Sequence, residues 1–241
     1  MVDALLENLN SHNADLRLNS QVVNITQQYM GFKVQLKDGT TLESDFLILA
    51  TPAYVSGQLL AALNPQLGFI LQSIPYVSTA TISLAYRLAD IPRDLDGYGY
   101  VIPRREGRQA LACTWTSTKF PHRAPDGYAL IRVFVGRAGQ EFPWDEQELL
   151  GLAKEELQQT LGVTANPLFS RVFRWDKAMP QYNLGHPERL KRIDAALEHH
   201  PDLALAGNGY RGIGIPDCIH SGELAVERIL NFIHFNVEIQ N

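Results

Sequence analysis

A run of five consecutive apolar residues, 46–50, most constrains the fold that this chain can adopt. The run does not alternate between apolar and polar residues, as a strand with one solvated face would. Such a run is typical of a parallel sheet that helices cover on both faces. Thr51-Pro52 ends it, because proline cannot donate to the hydrogen-bond ladder. A second short apolar run, residues 203–206, predicts another strand of this kind near the other end of the chain.

The middle of the chain has a different pattern. From about residue 75, short β-prone segments at 79–88, 99–102, 110–116, 128–135 and 169–175 are joined by turns, which is typical of antiparallel sheet. One amphipathic helix interrupts them, with Asp145 as a candidate N-cap and Gly162 at its end. The sequence predicts a mixed α/β and α+β fold. An α/β domain is built from residues 1–68 and 179–241, and a β-rich domain, residues 69–178, is inserted between them.

The first residues predict a helix, several strands and a hairpin. Val2, Leu5, Leu6 and Leu9 have the spacing of one helix face. Residues 16–18 and 22–25 are β-prone, and residues 32–36 alternate apolar and polar. Asp38-Gly39 then supplies the tight turn of a hairpin.

Composition excludes several classes of protein. The chain has 241 residues, with 21 Lys and Arg against 26 Asp and Glu, a formal net charge of −5. This balance argues against a nucleic-acid binder. Two cysteines are too few for a disulfide scaffold. No apolar stretch approaches the ~20 residues of a membrane-spanning helix, and the first residues do not have the pattern of a signal peptide. We expect a cytoplasmic protein and leave peripheral contact with a membrane open.

Residues 207–212 match the pattern G-x-G-x-x-G and follow the second apolar run. A dinucleotide-binding turn leads directly into its helix, whereas residues 213–216 intervene here before a helix predicted from about residue 216 to 235. The glycines still allow a ligand close to the backbone, and the helix directs its positive end at the turn. A phosphate or an electron-rich ring oxygen would fit, and a tight turn without a ligand is the alternative.

Several motifs together resemble a known family. Residues 212–222, Gly-Ile-Gly-Ile-Pro-Asp-Cys-Ile-His-Ser-Gly, resemble the C-terminal flavin motif of oxygen-dependent protoporphyrinogen and coproporphyrinogen oxidases, within the flavin amine oxidase superfamily. Residues 175–182, Trp-Asp-Lys-Ala-Met-Pro-Gln-Tyr, and Gly185-His186 are similar to a second motif of these enzymes. Residues 22–25, the Asp38-Gly39 hairpin and residues 50–52 resemble the centre of the family's FAD domain.

The resemblance implies FAD as cofactor and a porphyrinogen and O2 as reactants. Val22 would contact the adenine through its backbone, and Trp175 would pack near the isoalloxazine ring. Gly212, Ile213, Gly214 and Ile215 would form the flavin turn, the last three with their backbone N–H groups. The resemblance implies no catalytic side chain. No histidine spacing of a metal site is present in the sequence.

The family begins with a βαβ unit that carries its own G-x-G-x-x-G turn, and no such turn precedes Val22. We therefore expect this chain to be about the C-terminal half of such an enzyme, with the N-terminal half or a second copy as its partner. Two alternatives stay open. One is another flavin amine oxidase, and the other is a non-catalytic protein that binds a tetrapyrrole or a partner. The sequence does not distinguish protoporphyrinogen from coproporphyrinogen.

Overall fold

The computed structural model describes residues 2–141 and 145–240, and the chain divides into two units. The first unit combines the residues up to Ile74 with those from Tyr182 onward, and the second is Pro75–Gln181. These boundaries lie a few residues beyond those that the sequence suggests. In the described part of the chain, no helix is both long and apolar enough to cross a membrane.

Helices and strands are numbered in chain order. The helices are α1 Val2–Ser11, α2 Ala53–Leu60, α3 Pro65–Gln72, α4 Thr116–Lys119, α5 Glu146–Leu161, α6 His186–Leu197 and α7 Ile215–Gln240. The strands are β1 Val22–Gln27, β2 Phe32–Leu36, β3 Thr41–Ser44, β4 Leu47–Leu49, β5 Tyr76–Arg87, β6 Gly99–Val101, β7 Ala110–Trp115, β8 Tyr128–Val135, β9 Phe169–Pro180 and β10 Leu203–Leu205.

The first unit contains a three-stranded antiparallel sheet in the order β1-β2-β3. The alternating residues of β2 are buried and exposed in turn, as the sequence predicts. Gly39, at φ +90°, closes the β2–β3 hairpin, where its amide donates to the Leu36 carbonyl at 3.0 Å. The predicted hairpin is therefore confirmed.

The first unit also contains a parallel pair of strands, β4 and β10, in which Leu47 lies opposite Leu203. The pairing confirms the parallel sheet that the two apolar runs predict. Helix α7 packs on β10, where Ala204 joins Ala225 and Ile229 in a small apolar core. The prediction that both faces of β4 are covered is wrong within the described residues, because Ile48 is 38% exposed. Helix α7 packs chiefly against β10.

Two other predictions about the first unit need correction, and two of its helices were not predicted. Residues 16–18 form no strand in the described part of the chain, where Leu16 and Leu18 are exposed and pair with nothing. Helices α2 and α3 were not predicted, because their apolar residues lack a clear one-faced period. Helix α7 also continues past the predicted end at residue 235 to Gln240.

The second unit is a five-stranded antiparallel sheet in the order β6-β7-β8-β5-β9, as expected for the middle of the chain. Helix α5 covers one face, where Leu149, Ala153 and Leu157 are fully buried. The Asp145 side chain accepts from the Gln147 and Glu148 amides, and Gly162 ends the helix at φ +74°. Each buried leucine stabilises this packing by about 1.5–3 kcal/mol. The opposite face, which α5 does not cover, is called the open face below.

Candidate cofactor-binding site

A glycine-rich turn connects β10 to α7. Gly207 begins it at φ +117°, and its amide donates to the Ser221 hydroxyl on α7 at 3.0 Å. At the other end of the turn, the Gly214 carbonyl accepts from the Cys218 amide, also at 3.0 Å. The turn is therefore anchored to the first turns of the helix that follows it.

Gly212 lies too close to α7 for any other residue. A Cβ atom at this position would be 2.4 Å from the Cβ of Asp217, and Gly212 has a φ of +155°. A Cβ at Gly214 would lie 2.9 Å from Asp217 Oδ2, the same oxygen that accepts the Gly214 amide at 3.0 Å. The Asp217 carboxylate thus folds back over the turn and lies at the positive end of α7, where a negative charge is favoured.

The Tyr182 hydroxyl connects the two ends of the turn. It accepts from the Gly212 amide at 2.9 Å and donates to the Asn208 carbonyl at 2.7 Å. Burial raises the pKa of Tyr182, with the Gly212 amide opposing the shift, so the phenol keeps the proton that it donates. One side chain thereby fixes the width of the turn.

The His186 ring packs against the Tyr182 ring. The two rings are stacked, with centroids 4.2 Å apart and planes inclined by 10°. His186 Nε2 is 2.8 Å from the Tyr210 carbonyl in the turn, and a carbonyl can only accept, so Nε2 carries the proton. His186 is buried and Nδ1 has no hydrogen-bond partner among the described residues. Its hydrogen bond and ring contact therefore fix the turn from the start of α6.

An ion pair also ties the turn to α6. The Arg211 guanidinium donates to both carboxylate oxygens of Asp194, at 2.8 and 2.6 Å. Both side chains are about half exposed, so the pair contributes only about 0–1 kcal/mol to stability. Its effect is to hold the outer side of the turn in one position.

The structure brings four of the predicted site residues together. Gly212, Ile213, Gly214 and Ile215 follow one another from the turn into α7, and the two isoleucine side chains are exposed. The Gly214 amide, which the resemblance assigns to the flavin, donates here to Asp217. Backbone contact of these residues with a flavin stays a prediction.

The other two predicted residues belong to other secondary-structure elements. Val22 starts β1, an edge strand of a different sheet from the one that precedes the turn, and pairs there with Leu36. Trp175 belongs to the second unit, where it lies on β9 opposite Thr79 and is 50% exposed. Their roles toward a cofactor stay predictions.

Sequence reasoning gave no role to Tyr182, His186 or Asp217, although all three fall within the recognised motifs. The motif residues Gln181-Tyr182 and Gly185-His186 could have indicated that Tyr182 and His186 belong to the site. The hydrogen bonds of Tyr182 and His186 join residues 24–30 positions apart in the chain, and a local pattern does not show such contacts. Asp217 binds the Gly214 amide from only three residues away.

Residues 1–230 match the family model described as flavin containing amine oxidoreductase. The chain belongs to this family. Its curated relatives include a coproporphyrinogen III oxidase of Bacillus subtilis strain 168, 31% identical over 89% of this chain and 46% of the relative. They also include a human protoporphyrinogen oxidase, 32% identical over 94% of this chain and 49% of the relative. The chain therefore spans about half the length of the curated relatives that it matches.

Solved structures show the same fold. A structure described as a protoporphyrinogen oxidase from Exiguobacterium sp. 255-15 superposes with a TM-score of 0.80 at 28% identity, over 94% of this chain and 50% of that chain. Reduced UDP-galactopyranose mutase superposes with a TM-score of 0.72 at 15% identity, over 97% of this chain and half of that chain. At this identity the second match shows the fold alone.

Family membership implies FAD, and the turn fits the ring end of that cofactor. Gly212 and Gly214 carry no side chains, and the exposed side chains of Ile213 and Ile215 offer an apolar surface on which a flat ring could pack. The 26-residue helix α7 presents its positive end to the same place, which suits an electron-rich ring oxygen. Within the described residues, no second glycine-rich turn precedes β1 to hold a pyrophosphate, so the fit is confined to one end of the cofactor.

Proposed function

We propose that this chain forms the C-terminal half of a FAD-dependent porphyrinogen oxidase. The first unit would supply part of a Rossmann-like FAD domain, and the second unit would bind the substrate. The parallel pair β4–β10, followed by a glycine turn and a long helix, supports the first assignment. Relatives named for coproporphyrinogen III and protoporphyrinogen support the reaction.

The observation that carries this proposal is the turn held by Tyr182. The Tyr182 hydroxyl accepts from the Gly212 amide, and the side chains of Ile213 and Ile215 that follow are exposed at the start of α7. These residues would bind the flavin ring and exclude water from one side of it. The first turn of α7 would stabilise negative charge on the reduced ring, by about 0.3–1 kcal/mol. A position of Trp175 near the flavin ring stays a prediction.

When bound, FAD supplies the two-electron oxidation chemistry, and the protein supplies position and electrostatics. The porphyrinogen would lose hydrogens until the macrocycle is fully conjugated, and O2 would accept the electrons and leave as hydrogen peroxide. No acidic or basic side chain of the turn is required for this reaction. Cytoplasmic location and contact with a membrane surface stay predictions.

A chimera tests the proposal. The N-terminal half of the Bacillus subtilis relative is joined to this chain at the equivalent residue, and porphyrin formation is followed by fluorescence under air. Coproporphyrinogen III and protoporphyrinogen IX are the test substrates, and benzylamine and spermine are the amine controls. A Tyr182→Phe chimera keeps the ring stack but removes the two hydrogen bonds of the hydroxyl, and it should lose most of the activity.

Oxidation of a porphyrinogen, with the corresponding loss in the Tyr182→Phe chimera, would support the proposal. Oxidation of an amine and of neither porphyrinogen would show another activity of the flavin amine oxidases. Full FAD content without oxidation of any substrate would contradict the proposal and favour a non-catalytic role.

A further inference from the structure

The open face of the second unit's sheet has an unusual composition. It is the face opposite the core with α5, and its residues follow from the strand registers. Thr81 on β5 lies between Phe134 on β8 and Phe173 on β9. Ser83, two residues along, lies between Arg132 and Arg171. Paired residues point to the same face of a sheet, so aromatic rings and arginines stand in adjacent rows.

Large aromatic side chains on this face are exposed. Phe169, Phe173 and Trp175 stand on β9 at alternate positions with Arg171 among them, and their exposed fractions are 52%, 53% and 50%. The Phe173 and Trp175 rings have centroids 6.3 Å apart and form one apolar surface. An exposed aromatic patch of this kind marks a binding surface.

The arginines give the same face a positive charge. Arg132 donates to the Ser83 hydroxyl at 3.2 Å, and Arg171 makes no hydrogen bond or ion pair with any described residue. No Asp or Glu is among the paired residues of this face on the five strands, although the whole chain carries a net charge of −5. Strand spacing puts the backbones of Arg132 and Arg171 about 10 Å apart. With no acidic residue among the paired residues of the face, Arg132 and Arg171 would bind carboxylates in pairs.

We infer that the open face binds a tetrapyrrole through its carboxylate side chains, with Arg171 binding a carboxylate and Phe173 and Trp175 packing against the macrocycle. This inference rests on the proposed function and names the residues that would select its substrate. Arg132, which donates to the Ser83 hydroxyl, would bind a second carboxylate of the same ligand. The arginines would favour the acid over its neutral ester, and the aromatic surface would bind both.

The test is direct binding of a porphyrin by the full 241-residue chain without FAD. Fluorescence polarisation measures the affinity for coproporphyrin III, a tetracarboxylate, and for its uncharged tetramethyl ester in the same detergent. The variants are Arg171→Gln, Arg171→Lys and Phe173→Leu. Arg105→Gln is the matched control, because Arg105 is an exposed arginine in the turn between β6 and β7. Circular dichroism checks that each variant folds.

The inference predicts at least tenfold weaker binding of the acid by Arg171→Gln, a smaller loss with Arg171→Lys, and no change with Arg105→Gln. Binding of the ester should change only with Phe173→Leu. The absence of acid binding by the chain, or equal affinities for Arg171→Gln and Arg105→Gln, would overturn the inference. Neither flavin nor turnover enters this assay, so its failure is separate from a failure of the chimera to oxidise a porphyrinogen.

Discussion

At the scale of single residues, the glycine turn requires a residue without a Cβ atom at position 212. Gly212 tolerates no Cβ, because Asp217 occupies that space, and the Tyr182 hydroxyl holds the Gly212 amide in place. The Asp217 contact and the Tyr182 hydrogen bond account for a glycine at this position without a ligand.

Substitution of Gly212 by Ala should therefore be costly. The new methyl group would force Asp217 or the turn to move, and we expect a loss of about 1–3 kcal/mol in the free energy of unfolding. Gly222→Ala is the matched control on α7, where a Cβ meets nothing within 4 Å. Alanine favours a helix, so this control should gain up to about 1 kcal/mol. Urea unfolding of the two variants measures both values, and equal stabilities would contradict the described packing of the turn.

His200 predicts how the free energy of unfolding depends on pH. Burial lowers its pKa, Asp202 opposes the shift, and His199 adds to it. The Asn64 amide nitrogen lies 3.3 Å from His200 Nε2, a contact in which a neutral ring accepts. A histidine whose pKa is lower in the folded state stabilises the fold above its unfolded pKa of about 6.5. That stability is lost as the pH falls from there through the folded pKa.

Urea unfolding at pH 7.5 and at pH 5 should show this loss in the unmodified chain and a smaller loss in His200→Gln. His12→Gln is the control, because His12 is exposed. If His200→Gln and the unmodified chain lose equal stability on acidification, His200 does not cause the loss and this prediction is wrong.

The glycine turn itself could be predicted from the sequence, because G-x-G-x-x-G after an apolar run is a local pattern. The residues that hold it could not, because Tyr182, which precedes α6, and His186, which begins it, reach the turn by tertiary contacts. Likewise, Trp175 was recognised from its motif, whereas its neighbours Arg132 and Arg171 on the open face follow only from strand register.

At the scale of elements, the local sequence patterns predicted a strand, hairpin or helix correctly where the interacting residues are close together in the chain. The alternation in β2, the Asp38-Gly39 hairpin and the caps of α5 are local, and all are present. Residues 16–18 read as a strand but have nothing to pair with in the described chain. Helices α2 and α3 are apolar on much of their surface, so periodicity did not identify them.

Helix α1 has the predicted amphipathic pattern but buries none of its residues. Leu5 is 59% exposed, so Leu5→Gln should change the free energy of unfolding of the chain by no more than about 0.5 kcal/mol. The same substitution should weaken association with an added N-terminal half, because an apolar helix face would be covered there. Glu7→Gln, on the same helix, is the control. A large loss of stability in the isolated Leu5→Gln chain would show that α1 already packs within it.

At the scale of the whole molecule, the chain contains one end of a candidate cofactor site and one candidate substrate surface. It belongs to the flavin-containing amine oxidoreductases and matches about half of each curated relative. The parallel sheet of the first unit has only two strands in the described residues, with Ile48 exposed beside it. These features agree with a FAD domain that a second half would complete.

The most direct measurement is a titration of the purified 241-residue chain with FAD, followed by flavin fluorescence, with and without the N-terminal half of the Bacillus subtilis relative. Our account predicts weak or no binding by the chain alone, because no described residues form a pyrophosphate site. It predicts stoichiometric binding once that half is added, and loss of this binding in Gly212→Ala. Tight stoichiometric binding by the chain alone would contradict the half-enzyme account, as would the absence of binding after the N-terminal half is added.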